Sequence, residues 1–156
     1  MLSQTVEYAL RAMVCLAAFP EERVSAGTLA DQTCVPPDYL AKVLQLLSKA
    51  DLIAGRRGVG GGYQIARDPK DIRVLEVIRA VGSMDRIEAC PLGIEGHGNP
   101  SLCPLHHLVD QAIAAMIKVL DQRSLADIVG LTDVGAPLCQ DGDGAPKPVS
   151  LGLRRN

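Results

Sequence analysis

The chain has 156 residues, enough for one domain with extensions, and 47% of them are hydrophobic, enough for a core. Only 3% are aromatic, with no Trp and a single Phe, so that core must be aliphatic, which favours helix packed on helix. The net charge of −2 hides an asymmetry: residues 42–79 hold eight Lys/Arg against four Asp/Glu (+4), whereas residues 83–156 hold six against nine (−3). The basic segment reads either as a face for an anionic partner or as a solvated charged surface. No run approaches the roughly 18 apolar residues of a membrane span. The N-terminus lacks a basic leader region, so a soluble, cytoplasmic protein is expected. In that compartment five cysteines, an odd number, are expected to be free, catalytic or metal-binding rather than paired as staples.

Val6, Leu10, Met13, Val14 and Ala17 recur at helical spacing over residues 3–18, with Ser3 as a candidate N-cap. Ser25 can cap a short second helix running to Thr33. In the CVPPDY stretch, Pro37 suits a first helical turn and Asp38 the positive end of a helix dipole. A third helix then runs to about Ala50 with Leu40, Val43, Leu44 and Leu47 as its buried stripe. Two helices joined by a tight turn, the second longer, form a helix-turn-helix pattern, although helical hairpins of other kinds share it. DLIAGRRGVGGGYQIAR follows as strand, glycine-rich turn and strand. Its two adjacent arginines offer planar forks for phosphate oxygens or guanine edges. A basic hairpin directly after a helix-turn-helix reads as a wing. A phosphate cradle for nucleotides is discounted, because no Lys-Ser/Thr and no helix follow the glycines.

Residues 71–81 read as a further helix stopped by Gly82. Residues 83–103 read as loop. The segment CPLGIEGHGNPSLCPLHH (90–107) gathers two cysteines and all three histidines. From 104 to 122 the apolar positions Leu105, Leu108, Val109, Ala112, Ile113, Met116, Ile117 and Leu120 keep helical spacing without a miss. Such a stripe is either plain core or, where the N-terminal unit is already complete, the seam of a dimer. Residues 124–129 suggest a short last helix, and 130–156 a disordered tail. The expected fold is therefore mostly α with a small β-hairpin. It comprises a winged helix-turn-helix unit (1–82), a Cys/His-rich loop (83–103), a dimerisation helix with a terminal short helix (104–129) and a tail.

The stretches LSQTVEYALRAMVCLA, PPDYLAKVLQLLSKADLI, RRGVGGGYQIAR and VLEVIRAVG together resemble the Rrf2 family of bacterial winged-helix regulators over about residues 1–129. The resemblance implies a homodimer on a palindromic double-stranded DNA operator, with the recognition helix in the major groove and the wing beside it. The residues agree with that reading. Tyr39, Lys42 and Gln45 share one side of the third helix, roughly opposite Val43 and Leu47. Lys42 suits phosphate or guanine and Gln45 suits adenine, while Tyr39 reads equally as a packing residue. Arg56 and Arg57 belong at the wing tip. The family often carries an acidic or amide residue where Ala41 and Lys42 stand, so no operator sequence carries over.

Iron–sulfur members of the family place three cysteines as C-x5-C-x5-C at this location. Here Cys90 is followed after six residues by His97, that after five by Cys103, and that after two by His106. Thiolates and imidazoles suit an iron–sulfur cluster of mixed ligation, a two-iron cluster first, or a zinc ion. Glu7 matches the position from which some members supply a carboxylate across the dimer. The implied set is Cys90, Cys103, His97 or His106, and Glu7. Equally, some members have lost the cluster and respond to metabolites or partner proteins, and the missing middle cysteine points that way. His106 and His107 then cap the helix or pair with Asp110. Cys15 and Cys34 read as buried thiols in helical patterns. Cys/His nucleophilic catalysis is disfavoured, since no orienting residue or oxyanion site accompanies the loop.

Overall fold

The computed structural model describes residues 2–82, 84 and 104–129. The Cys/His loop and the C-terminal tail expected from the sequence therefore lie outside the described residues. Helix α1 (Gln4–Ala18) begins where Ser3 Oγ accepts from the Val6 N–H at 3.4 Å, and it buries Val6, Ala9, Ala12, Met13, Leu16 and Ala17. Helix α2 (Ala26–Thr33) is capped in the same way by Ser25, whose Oγ accepts from the Thr28 N–H at 3.1 Å. Helix α3 (Pro37–Lys49) starts on the preset φ of Pro37, with Asp38 in its first turn. Leu40, Val43, Leu44 and Leu47 of α3 close with Leu29 and Ala30 of α2 onto α1, giving an aliphatic three-helix core.

Both cysteines assigned to helices differ somewhat from expectation. Cys34 does not continue α2; it ends the helix at φ 52°, is only partly buried, and is disulfide-bonded rather than the free thiol expected. Cys15 is half-buried on α1, where its Sγ–H donates to Gln32 Oε1 at 3.0 Å, and burial pushes its thiol up to about 11. A neutral, hydrogen-bonded thiol ties α1 to α2 and has little nucleophilic character at neutral pH.

Strands β1 (Ile53–Arg56) and β2 (Gly62–Ile65) pair antiparallel, with Ile53 opposite Ile65 and Arg56 opposite Gly62. A third backbone segment joins them. The Val24 N–H donates to the Tyr63 carbonyl at 2.9 Å and the Tyr63 N–H to the Val24 carbonyl at 2.8 Å. The hairpin is thereby anchored to the chain just before α2. This close approach requires Gly62, whose φ is 141° and whose Cβ, if it had one, would lie 2.5 Å from the Val24 carbonyl oxygen. Gly62→Val is expected to lower stability by about 2 kcal/mol or more, through strain and loss of the Val24 bridge. Chemical denaturation of the two proteins measures it.

The expected helix over 71–81 is shorter than its pattern. Pro69–Asp71 form a 3-10 turn, Ile72 is extended, and α4 spans Val74–Val81. The reason is a pairing distant in sequence: the Val74 N–H donates to the Arg123 carbonyl and the Leu125 N–H to the Ile72 carbonyl, both at 2.9 Å. Gly82 ends α4 in an extended rather than left-handed conformation, at φ −151°. Helix α5 (Pro104–Asp121) packs on α4, and α6 (Leu125–Val129) returns to α1. Leu125 is fully buried in the main core, so the last helix is physically part of the N-terminal unit. Val6, Val74 and Ile78 form a second cluster against which Leu120 and Ile128 rest.

Candidate nucleic-acid interface and sensor residues

The buried stripe of α3 determines what its other side offers. With Leu40, Val43, Leu44 and Leu47 inward, Asp38, Ala41, Lys42, Gln45, Leu46 and Lys49 are exposed. Lys42 and Gln45 therefore stand on the solvent face as expected. Tyr39 lies at its flank instead, half-buried. Its hydroxyl is 2.7 Å from Thr5 Oγ1, and its ring meets that of Tyr8 edge-on at 5.3 Å between centroids. Those contacts hold α3 against the start of α1. Spacing by threes from Tyr39 passes over Asp38 and Lys49. Spacing by 3.6 puts them, with Lys42 and Gln45, at i, i+4, i+7 and i+11, the centre of the face opposite the core.

The wing carries the other cations. Arg56 ends β1 and Arg57 opens the turn; both are exposed, and among the described residues neither forms an ion pair. Arg67, by contrast, bonds Glu76 at 2.7 Å at the base of the hairpin. Partial burial pushes the Glu76 carboxyl up, but the Arg73 backbone N–H and then the Arg67 guanidinium outweigh it together and hold the carboxyl below its ordinary range. Arg67 thus has a structural partner, whereas Arg56 and Arg57 present their forks to solvent.

Of the residues proposed to hold a metal, Cys90, His97 and Cys103 lie outside the described residues. Glu7 is exposed on α1 and ion-paired to Arg11, whose guanidinium also donates to the Thr33 carbonyl at 3.2 Å. His106 is the one buried residue of α5, facing the body of the protein, while the adjacent His107 is exposed and 3.0 Å from Gln111. The two neighbouring imidazoles therefore differ in environment. Among the described residues no group of three or more Cys, His, Asp or Glu is placed to hold a metal.

Helix α5 has two apolar sides rather than one stripe. His106, Val109, Ile113, Ile117 and Leu120 are buried or half-buried toward the body. Leu105, Leu108, Ala112, Ala115, Met116 and Val119 follow one another on an adjoining, exposed side, with Leu108 and Val119 each 60% exposed and Met116 45%. No helix among the described residues is long and apolar enough to cross a membrane.

Comparison with known proteins places this arrangement in context. The model of the Rrf2 family, described as iron-dependent transcriptional regulators, matches residues 2–130. The transcriptional regulator NsrR of Bacillus licheniformis is 32% identical over 130 residues, covering 82% of this chain and 91% of that protein. Among solved structures, CymR, the global cysteine regulator of B. subtilis, superposes with a TM-score of 0.71 at 27% identity, over 85% of this chain and 98% of that one. T. potens IscR superposes with a TM-score of 0.68, also at 27% identity, over 83% of this chain and 86% of that one.

Proposed function

The chain belongs to the Rrf2 family of DNA-binding transcription regulators, which are not enzymes, and from that premise we propose that it acts in the cytoplasm as a homodimer on a palindromic operator. In this reading α3 enters the major groove with Lys42 and Gln45 toward base edges and phosphates, and Asp38 and Lys49 complete that face. Arg56 and Arg57 hold the backbone beside it. Tyr39 contributes by fixing the angle of α3 on α1. The observation that carries the reading is the pairing of an exposed polar face on α3 with an anchored hairpin whose two arginines, among the described residues, form no ion pair. Repressor action follows if the operator overlaps a promoter.

Arg56→Ala combined with Arg57→Ala is expected to weaken operator binding at least about tenfold. The plot of log affinity against log salt should flatten by about one for each phosphate that the variant leaves unneutralised. Because both side chains are exposed, the thermal midpoint should stay within a few degrees of wild type. An unchanged affinity and slope across several salt concentrations would remove the wing from the interface.

The signal is proposed to act at the Cys/His segment. Two thiolates and an imidazole form a donor set that fits an iron–sulfur cluster, with 2Fe-2S favoured, and also fits zinc. Cys90 and Cys103, with His97 or His106 and a carboxylate from Glu7, would hold it. When bound, a cluster with such ligands supplies a redox-sensitive centre. Before Glu7 can serve, it must leave Arg11, which then keeps its bond to the Thr33 carbonyl. The burial of His106 favours it over His107 as a ligand directed toward the body of the molecule. A second reading has the same regulator working without a metal, in response to a metabolite or partner protein. It is supported by the absent middle cysteine and by a structural relative described as a cysteine regulator. Anaerobic purification followed by iron, sulfide and zinc analysis and a visible spectrum separates the two.

A further inference from the structure

The wing tip has an unusual composition for a DNA-facing hairpin. Its apex is not a cation but Val59, with a relative accessibility of 106%, the highest of any large hydrophobic residue described. Gly58 and Gly60 flank it at φ 94° and 70°, and the Gly61 N–H donates to the Gly58 carbonyl at 2.9 Å. That hydrogen bond, with a left-handed glycine in third place, is the pattern of a type II turn and puts Val59 at its second position. Gly61 in turn cannot accept a side chain, because its Cβ would sit 2.3 Å from the Arg56 carbonyl oxygen. At Gly58 and Gly60 there is open space, yet the backbone demands glycine. The result is a thin blade of backbone carrying one branched aliphatic group, with Arg57 two residues behind it.

A single exposed valine needs no explanation on an ordinary surface. Its position changes that judgement. The turn holds the side chain at the outermost point of the element whose arginines are assigned to the DNA backbone. A hairpin stripped to glycine on both sides of its apex is narrow enough for a groove about 6 Å wide.

We propose that Val59 is a specificity residue that enters the minor groove flanking each half-site and selects A·T pairs there. The inference rests on the operator-binding function proposed above and adds a contact to it. The chemistry is steric and apolar. An A·T pair leaves the groove floor without an amino group, so the two methyls can lie against it. The N2 amino group of guanine projects into the same space, and a valine can neither accept its hydrogen bond nor make room for it. Arg56 and Arg57 supply affinity that is indifferent to sequence, and Val59 adds discrimination that is indifferent to salt.

The test uses the full-length protein and duplexes that the wild type enriches from a randomised pool. Guanines are then placed at the flanking positions, and in a matched set each is replaced by inosine, which lacks only the minor-groove amino group. Wild type is expected to bind the inosine duplexes about fivefold or more tightly than the guanine ones. Val59→Ser should lose that discrimination and bind the A·T duplex about fivefold more weakly, with an unchanged salt slope and melting temperature. The unchanged salt slope sets it apart from loss of the arginines. If Val59→Ser matches wild type in affinity and still distinguishes guanine from inosine, the assignment is overturned while operator binding stands. If wild type enriches no duplex, the operator-binding function itself falls and the inference with it.

Discussion

Leu108→Asp combined with Met116→Asp is expected to turn the protein into a monomer that no longer holds a two-half-site operator. These residues lie on the outer side of α5, two turns apart, where the structure leaves an apolar row facing solvent. A contiguous exposed apolar face of this kind marks an interaction surface, and a face repeated on a second copy closes most simply as a two-fold dimer. Burying a carboxylate in such a seam costs several kcal/mol for each charge, and a symmetric dimer bears that cost in both subunits. Because neither side chain is part of the core, far-ultraviolet circular dichroism should stay unchanged. Sedimentation at micromolar concentration should shift from dimer to monomer. Operator affinity should drop by about a hundredfold or more, since one half-site alone must then suffice. Wild-type protein sedimenting as a monomer at that concentration would refute the dimer. The inner residue Ile113, which shares the stripe in sequence, is a poorer probe because it is half-buried against the body.

Cys90→Ala and Cys103→Ala are each expected to empty the proposed metal site. A cluster or zinc ion held by two thiolates and weaker donors cannot survive loss of either thiolate, because the remaining ligands bind at least about a hundredfold less tightly. Iron and zinc content in anaerobically purified variants should fall to background, and operator affinity should lose its response to oxidants. Glu7→Ala should have a milder outcome: metal retained, but released faster to a chelator. Metal content and operator affinity equal to wild type in both cysteine variants would leave the Cys/His segment as a connection only. Absence of metal from wild type would favour the metabolite reading.

Local chemistry made much of this fold legible. Ser3 and Ser25 cap the helices that their positions suggested, Pro37 opens α3, and the inward row Leu40, Val43, Leu44 and Leu47 is buried as its spacing implied. What was not legible depended on partners far along the chain. Ile72 and Arg73 carry a helical pattern but are extended, because the segment at Arg123–Leu125 pairs with them. The apolar positions of α5 form one run in the sequence but two sides in space, since only packing against α4 decides which of them is covered. Tyr39 sits one step off the face of Lys42 and Gln45, and only its contacts with Thr5 and Tyr8 reveal it as a packing residue. For the candidate site, charge and spacing were enough to place Lys42, Gln45, Arg56 and Arg57 at the exposed surface. Asp38 was visible as a helix-dipole residue, but its place at the middle of the exposed face emerges only from the packing of α3.

The return of the chain after α5 has a mechanical consequence. The Arg123 and Ile72 carbonyls, accepting from the Val74 and Leu125 N–H groups, clamp the C-terminal end of α5 to the body, and Leu125 anchors it in the core. The other end is joined to the Cys/His segment. In the proposed dimer the helix would thus be a lever with its fulcrum at Asp121–Leu125, and the proposed sensor would act on its long arm. Its 18 residues give an arm of about 27 Å, so a displacement of about 2 Å at Pro104 corresponds to a rotation of only about 4° at the fulcrum. Leverage in that direction lets a small, forceful local event, such as gathering a few ligands around a metal, turn one body against the other with multiplied torque. A sensor at the fulcrum would need a far larger force for the same turn.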